Sequence, residues 1–258
     1  MRKTALITGA SGGLGEEFAR LCAADGYDLV LVARSKERLQ HLADELKNKH
    51  AIGARIIPID LSAESGVQDL VHDLDTHGTA VTMLVNNAGF GTYGLFAQSD
   101  FHDLQNMMKL NMLALTTLTH QLLPGMIERK HGRILTVSST AAFQPGPLMA
   151  VYYATKAYVM NFSIALHDEL SGTGVTCTCL CPGPTQTGFQ KHAGMGKSPL
   201  FRGLLMDAPT VARIGYRACL RGKPLVTAGL KNRFLAFATR FASRPFAALM
   251  ARRAQAER

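Results

Sequence analysis

Short apolar runs alternate with longer stretches of helical spacing along most of the chain. The apolar runs fall at residues 3–8, 28–34, 55–59, 82–86, 133–138 and 175–181. They are nearly continuous rather than alternating apolar with polar, the pattern of strands buried on both faces. Between them, helical spacing predicts helices ending near residue 24, over 35–49, 64–76 and 101–120, and from Tyr152 onward. Strands and helices in strict alternation predict an α/β fold, a doubly wound parallel sheet covered by helices on both faces in three layers. No repeat or linker divides it, so residues 1–230 read as one Rossmann-like domain, with 231–258 as a tail. One residue breaks the pattern: Asn111 lies inside the 101–120 helix. Asparagine is a poor interior helix residue, so a local distortion that presents a functional amide is expected there.

The connections after the strands carry the chemistry. The first strand runs into Gly9-Ala10-Ser11-Gly12-Gly13-Leu14-Gly15 and then a helix. Glycines in such a turn let the backbone approach a pyrophosphate, which the free N–H groups at the helix start attract. A site for NAD usually places a carboxylate at the end of the second strand, to take the ribose hydroxyls. Here Ala33 is followed by Arg34, whose guanidinium suits a 2′-phosphate, so the expected cofactor is NADP(H). Ser35 can add a hydrogen bond, while Lys36 and Arg38 are expected to add only diffuse positive potential. Asp60 ends the third strand, and the small residues of Asn87-Ala88-Gly89 follow the fourth.

Ser139 stands just past the fifth strand, with Tyr152 and Lys156 thirteen and seventeen residues further on. On a helix, residues four apart share a face, which sets the Lys156 ammonium beside the Tyr152 phenol. A neighbouring cation is expected to lower the phenol from its usual pKa near ~10 toward the working range. Tyr153 lies on a different face, and Ser138 is displaced by one residue, so both are weaker candidates. The sixth strand ends in Pro182-Gly183-Pro184-Thr185-Gln186-Thr187, a rigid turn at the sheet edge where open α/β sheets bind ligands.

With these motifs in this order, the chain resembles the short-chain dehydrogenase/reductase family, from about Thr4 to Thr187, with a weaker continuation through a helix near 208–221 and a strand near 224–228. The resemblance implies a catalytic set of Asn111, Ser139, Tyr152 and Lys156. It implies cofactor contacts at Thr8, Gly9, Ser11, Gly13, Leu14, Gly15, Arg34, Ser35, Asp60, Leu61, Asn87, Ala88 and Gly89, and again at Tyr152 and Lys156. Pro182, Gly183, Thr185 and Thr187 complete that set, although Thr185 departs from the family's usual aliphatic residue. In the implied reaction NADPH delivers hydride to a carbonyl, Tyr152 protonates the oxygen and Ser139 orients it. Asn111 is expected to hold a water that links Lys156 to solvent. The rival reading is a catalytically idle NADP(H)-binding sensor or scaffold, which would need only the glycine turn and Arg34. Retention of all four catalytic positions speaks against it.

Charge adds one feature. Residues 1–187 hold 14 Lys/Arg against 17 Asp/Glu, whereas 188–258 hold 14 Lys/Arg against only Asp207 and Glu257. The tail places Phe234, Leu235, Phe237 and Phe241 at helical spacing with Arg233, Arg240 and Arg244 elsewhere on the wheel. Pro245 should end that helix and start another. Three partners fit such a tail: the body or a sister subunit of a homo-oligomer, an anionic membrane surface, or an acidic protein. Nucleic acid is disfavoured, because the body is slightly acidic and the tail has no recognised binding motif. No apolar run reaches the ~18 residues of a membrane span, and no export signal opens the chain, so the cytoplasm is the expected location, with membrane association through the tail left open. Cys177, Cys179 and Cys181 alternate along a strand without zinc-site spacing and read as small core residues; no metal is expected. A pocket lined by Phe90, Tyr93, Leu95, Phe96, Phe143, Leu148, Met149, Phe189, Met195, Leu200, Phe201, Leu204 and Leu205 would suit a lipophilic carbonyl or alcohol. Residues 188–206 are expected to form a substrate loop, with Gly194-Met195-Gly196 as a lid.

Overall fold

The computed structural model describes residues 3–189, 193 and 205–255. Seven strands form one parallel sheet: β1 (Thr4–Thr8), β2 (Asp28–Ala33), β3 (Ala54–Pro58), β4 (Val81–Asn86), β5 (Gly132–Val137), β6 (Val175–Cys181) and β9 (Leu225–Thr227). Their spatial order is β3-β2-β1-β4-β5-β6-β9, and β7 (Thr185–Gln186) pairs separately with β8 (Met206–Asp207). The chain winds outward from β1 in one direction and then, from β4, in the other. A crevice therefore opens between the carboxyl ends of β1 and β4, where ligands sit in doubly wound sheets.

Alternation within each apolar run explains why the central strands are buried on both sides. Ile7, Leu29, Leu31 and Met83 pack with α1 (Gly13–Ala24), α2 (Lys36–His50) and α7 (Ala208–Leu220). Their neighbours Leu6, Val30, Val32 and Leu84 face the other way, toward α3 (Gly66–Thr76), α5 (Leu115–Glu128) and α6 (Ala150–Glu169). All five cysteines are buried and unpaired, those of β6 among them.

The distortion expected at Asn111 is present. α4 (Phe101–Met108) passes into α5 through Lys109–Ala114, which has π-helical geometry. A π turn inserts one extra residue into the helix and rotates its side chains, and it turns the Asn111 amide into the protein, where it is buried.

The tail also folds. α8 (Leu230–Ala238) and α9 (Arg244–Gln255) follow β9. The first of them stops short of Pro245, because i→i−3 bonds from Arg240 and Phe241 tighten its last turn and the Thr239 hydroxyl takes the carbonyl of Ala236 at 2.8 Å. Ala247, Ala251 and Gln255, four residues apart, are the buried face of α9. Asn232 of α8 packs against Gly183, where a Cβ would come within 2.3 Å of its amide nitrogen.

Candidate active site

A cavity of about 1670 Å³ runs along the carboxyl ends of the strands. Pockets for drug-sized ligands measure roughly 300–1,000 Å³, so this one has room for a dinucleotide and a second molecule. One half lies over the glycine turn. Gly9 has φ +67° and Gly13 φ +57°, conformations that favour glycine. Gly15 packs so closely that a Cβ would lie 2.1 Å from the carbonyl oxygen of Gly9. Helix α1 begins here without a side-chain cap, and Ser11, Gly12, Gly13 and Leu14 line the cavity beside its N-terminus.

The two strand ends that frame the crevice are laced together. The Thr8 hydroxyl donates to Val85 O and accepts from the amides of Asn87 and Ala88, both at 3.0 Å. The side-chain amide of Asn87 donates to Thr8 O at 2.9 Å. Thr8 and Gly15 do not line the cavity: the hydroxyl of one is spent on this lacing, and the other faces the Gly9 carbonyl. They build the frame of the crevice.

At the β2 end, Arg34 is largely exposed, with its guanidinium 3.8 Å from the Asp60 carboxylate. Partial burial opposes ionisation of Asp60, but two hydrogen bonds from Ser62 and the charge of Arg34 prevail and hold its carboxyl below the usual range. Ser35, Asp60 and Leu61 line the cavity, and so does Arg38. Arg38 stands in the first turn of α2, and its side chain reaches the cavity.

The other half of the cavity holds Ser139, Tyr152 and Lys156. Ser139 starts a single 3₁₀ turn after β5, where its hydroxyl accepts from the amide of Ala141 at 3.1 Å and lies near enough to the Tyr152 phenol to favour its ionised form. Lys156 Nζ donates to the carbonyl of Val137 at 3.0 Å and lies 5.8 Å from the centroid of the Tyr152 ring. Ser138 points elsewhere, donating to the carbonyl of Lys156 at 2.7 Å. Pro182, Gly183, Thr185 and Thr187 close the edge, and Thr187 rests on Gly13.

Two electrostatic expectations change. Burial pushes the Tyr152 phenol up rather than down, with only a partial offset from the Ser139 hydroxyl. The cation is itself dry: burial pushes the Lys156 ammonium down to about 8, against a weaker opposing influence of Cys179 and Cys181. The Asn111 side chain is fully engaged. Its amide donates to Phe90 O at 2.9 Å and to the Thr155 hydroxyl at 3.1 Å, while its oxygen accepts from the amide of Phe90 at 3.1 Å. It does not line the cavity; it clamps the Gly89–Phe90 segment against α6.

Of the expected apolar lining, Phe90, Phe143, Met149, Phe189 and Leu205 take their places, whereas Leu95 and Phe96 are exposed and Tyr93 and Leu148 stand off the cavity. Met195, Leu200, Phe201, Leu204 and the Gly194-Met195-Gly196 lid lie outside the described residues. The wall that sequence reasoning missed is the tail itself: Leu235, Ala238, Phe246, Met250 and Ala254 line the cavity.

A family model described as short chain dehydrogenase matches residues 3–197. The chain belongs to the short-chain dehydrogenase family. A very-long-chain 3-oxoacyl-CoA reductase of Phaeosphaeria nodorum is 37% identical over 186 residues, 68% of this chain and 53% of that protein. The ketoacyl reductase HetN of a Nostoc species is 37% identical over 190 residues, 72% of this chain and 65% of that one. The chain thus spans little more than half to two thirds of the length of these relatives. Among solved structures, a short-chain dehydrogenase from Sphingobium yanoikuyae in complex with NADPH superimposes with a TM-score of 0.84 at 29% identity, over 93% of each chain. Like other members of the family, this chain has the parallel sheet with its glycine turn at the β1 edge.

The depressed Lys156 has a measurable signature. Its folded pKa near 8 lies below the 10.5 of the free side chain, so between those values the unfolded state binds more protons. Its burial costs stability in full below about pH 8, and that cost fades as the pH rises toward 10.5. Urea unfolding should show wild type gaining stability relative to Lys156→Met across that window; a pH-independent difference would exclude a dry ammonium.

Proposed function

We propose that the chain is an NADP(H)-dependent oxidoreductase that interconverts a lipophilic carbonyl and its alcohol, with Tyr152 as the acid/base. The observation that carries this reading is the convergence of Ser139, Tyr152 and Lys156 in one cavity with the glycine crevice. The cofactor fits the residues present. Gly9 and Gly13 leave room for a phosphate to approach the backbone, α1 offers its uncapped N-terminus, and Arg34 and Arg38 flank the place a 2′-phosphate would take. The NADPH complex of the Sphingobium enzyme supports the same choice.

When bound, NADPH supplies the hydride. The rest falls to the protein. Ser139 hydrogen-bonds the carbonyl oxygen and holds it against the Tyr152 hydroxyl, which passes its proton to that oxygen as negative charge develops. A phenol pushed up by burial is protonated at neutral pH, the form needed for reduction. The Lys156 ammonium, fixed on Val137 O, supplies positive potential beneath the site. Asn111 keeps the Gly89–Phe90 backbone, and thereby the floor of the cavity, in register with α6. The apolar lining and the 3-oxoacyl-CoA and ketoacyl reductases among the relatives favour a 3-oxoacyl or similarly apolar ketone substrate.

Tyr152→Phe should abolish NADPH oxidation with every carbonyl tested while leaving the Kd for NADPH within about twofold. Activity comparable to wild type would end the acid/base assignment. Arg34→Glu should weaken NADPH binding about a hundredfold, as loss of a charge-assisted pair and gain of a repulsion imply, and leave NADH binding little changed. Equal weakening of both cofactors would contradict the 2′-phosphate site.

The tail carries a second part of the reading. Outside its docked and cavity-lining faces it exposes Phe234, Phe237, Phe241 and Leu249. Six Lys/Arg and no acidic residue lie between 230 and 255, and each of those cations is exposed. Aromatic and cationic side chains on one short helical pair suit the headgroup layer of an anionic bilayer, beside a cavity wall through which an apolar substrate could enter. Among the described residues no helix is long and apolar enough to cross a membrane, so the contact would be peripheral. Full-length protein should sediment with phosphatidylserine vesicles and not with phosphatidylcholine vesicles, and Arg240→Glu with Arg244→Glu should release it. Sedimentation unaffected by either change would refute the contact.

A further inference from the structure

The last described residue of the chain is among its most buried. Gln255 is 0% exposed. Its side-chain amide donates to the Tyr153 hydroxyl at 2.7 Å. Its main-chain carbonyl accepts from the Tyr93 hydroxyl at 3.0 Å. Two tyrosines from distant parts of the chain therefore grip the same residue. Tyr153 adjoins Tyr152, and their rings meet edge to face with centroids 6.2 Å apart. Tyr93 follows the Gly89–Phe90 segment that Asn111 clamps.

This grip acts on a cavity wall. Phe246, Met250 and Ala254 of α9 line the cavity, whereas Gln255 itself does not. Among the described residues, the other buried positions of the helix are the small residues Ala247 and Ala251, and Phe246 and Met250 are 55% and 45% exposed. Two methyl-bearing contacts are a weak anchor for twelve residues. Tyr153, the weaker acid candidate by its position on α6, thus has a task of its own, and burial pushes its hydroxyl up to about 12, so it stays protonated.

We propose that Gln255 is a positioning residue for substrate selection: gripped by Tyr153 and Tyr93, it fixes α9 as the far wall of the substrate cavity and makes long apolar chains bind better than short ones. The proposal rests on the carbonyl-reductase reading and deepens it. A short carbonyl reaches Ser139 and Tyr152 without touching α9. A long chain must lie along Phe246 and Met250, and profits only while that wall stays in place.

The test compares wild type with Gln255→Met, which keeps the volume and loses the hydrogen bond, and with Gln255→Ala. NADPH-dependent reduction would be measured on a series of 3-oxoacyl thioesters from four to sixteen carbons, and hydrogen exchange on the α9 amides. The expected result is a KM raised roughly tenfold for the longest thioesters, about what burial of two methylenes contributes. The KM of the shortest and kcat throughout should stay unchanged, and α9 amides should exchange faster while those of α6 do not. An equal loss at every chain length, or unchanged kinetics and exchange in both variants, would overturn it. If wild type reduces no carbonyl, the oxidoreductase reading fails on its own account, and α9 exchange in Gln255→Met alone decides whether the grip exists.

Discussion

Lys156 carries its ammonium into a nearly dry pocket, where the carbonyl of Val137 at 3.0 Å is its main partner. A charge removed from water is costly unless something nearby repays it, and here the repayment is incomplete, as its depressed pKa shows. A fold does not keep such a residue for stability. The surrounding arrangement follows from the need to hold that charge in place: α6 runs past the end of β5 so that Lys156 reaches Val137 O. One turn earlier the same face carries Tyr152 to the Ser139 hydroxyl. Gly89 completes the site, since a Cβ there would approach both Asn111 Oδ1, at 2.9 Å, and Lys156 Nζ, at 3.4 Å.

The parallel sheet makes this economical. Every strand of the main sheet ends at the same edge, so loops from β1, β2, β4, β5 and β6 deliver their residues to one crevice without long excursions. The lacing of Thr8 to Asn87 and Ala88 stops that crevice from widening. The tail then roofs the substrate end, so the same helices that present aromatic and cationic side chains outward form the inner wall.

Much of this was legible in the residues alone. Runs buried on both faces announced the parallel sheet, the glycine turn announced the crevice, and Tyr152 with Lys156 could be placed on one helical face by spacing. The misplaced asparagine in an otherwise regular helix foretold the π turn. What escaped was tertiary. Arg38 reads as a helix-surface charge, and only the fold shows it lining the cavity. Spacing shows that a cation and a phenol are neighbours, but it does not show that both are dry, and dryness reversed the expected direction of the Tyr152 shift. Gln255 gave no signal at all, because its partners lie 102 and 162 residues away.

The central claim is that a phosphorylated dinucleotide lies between the glycine turn and Lys156, with its reacting end beside Tyr152. A crystal structure of the protein soaked with NADPH tests it most directly. The account predicts density for the 2′-phosphate between Arg34 and Arg38 and for the nicotinamide alongside Tyr152 and Thr187. Density that leaves Tyr152 facing away from the nicotinamide, or a cofactor bound elsewhere, would contradict it.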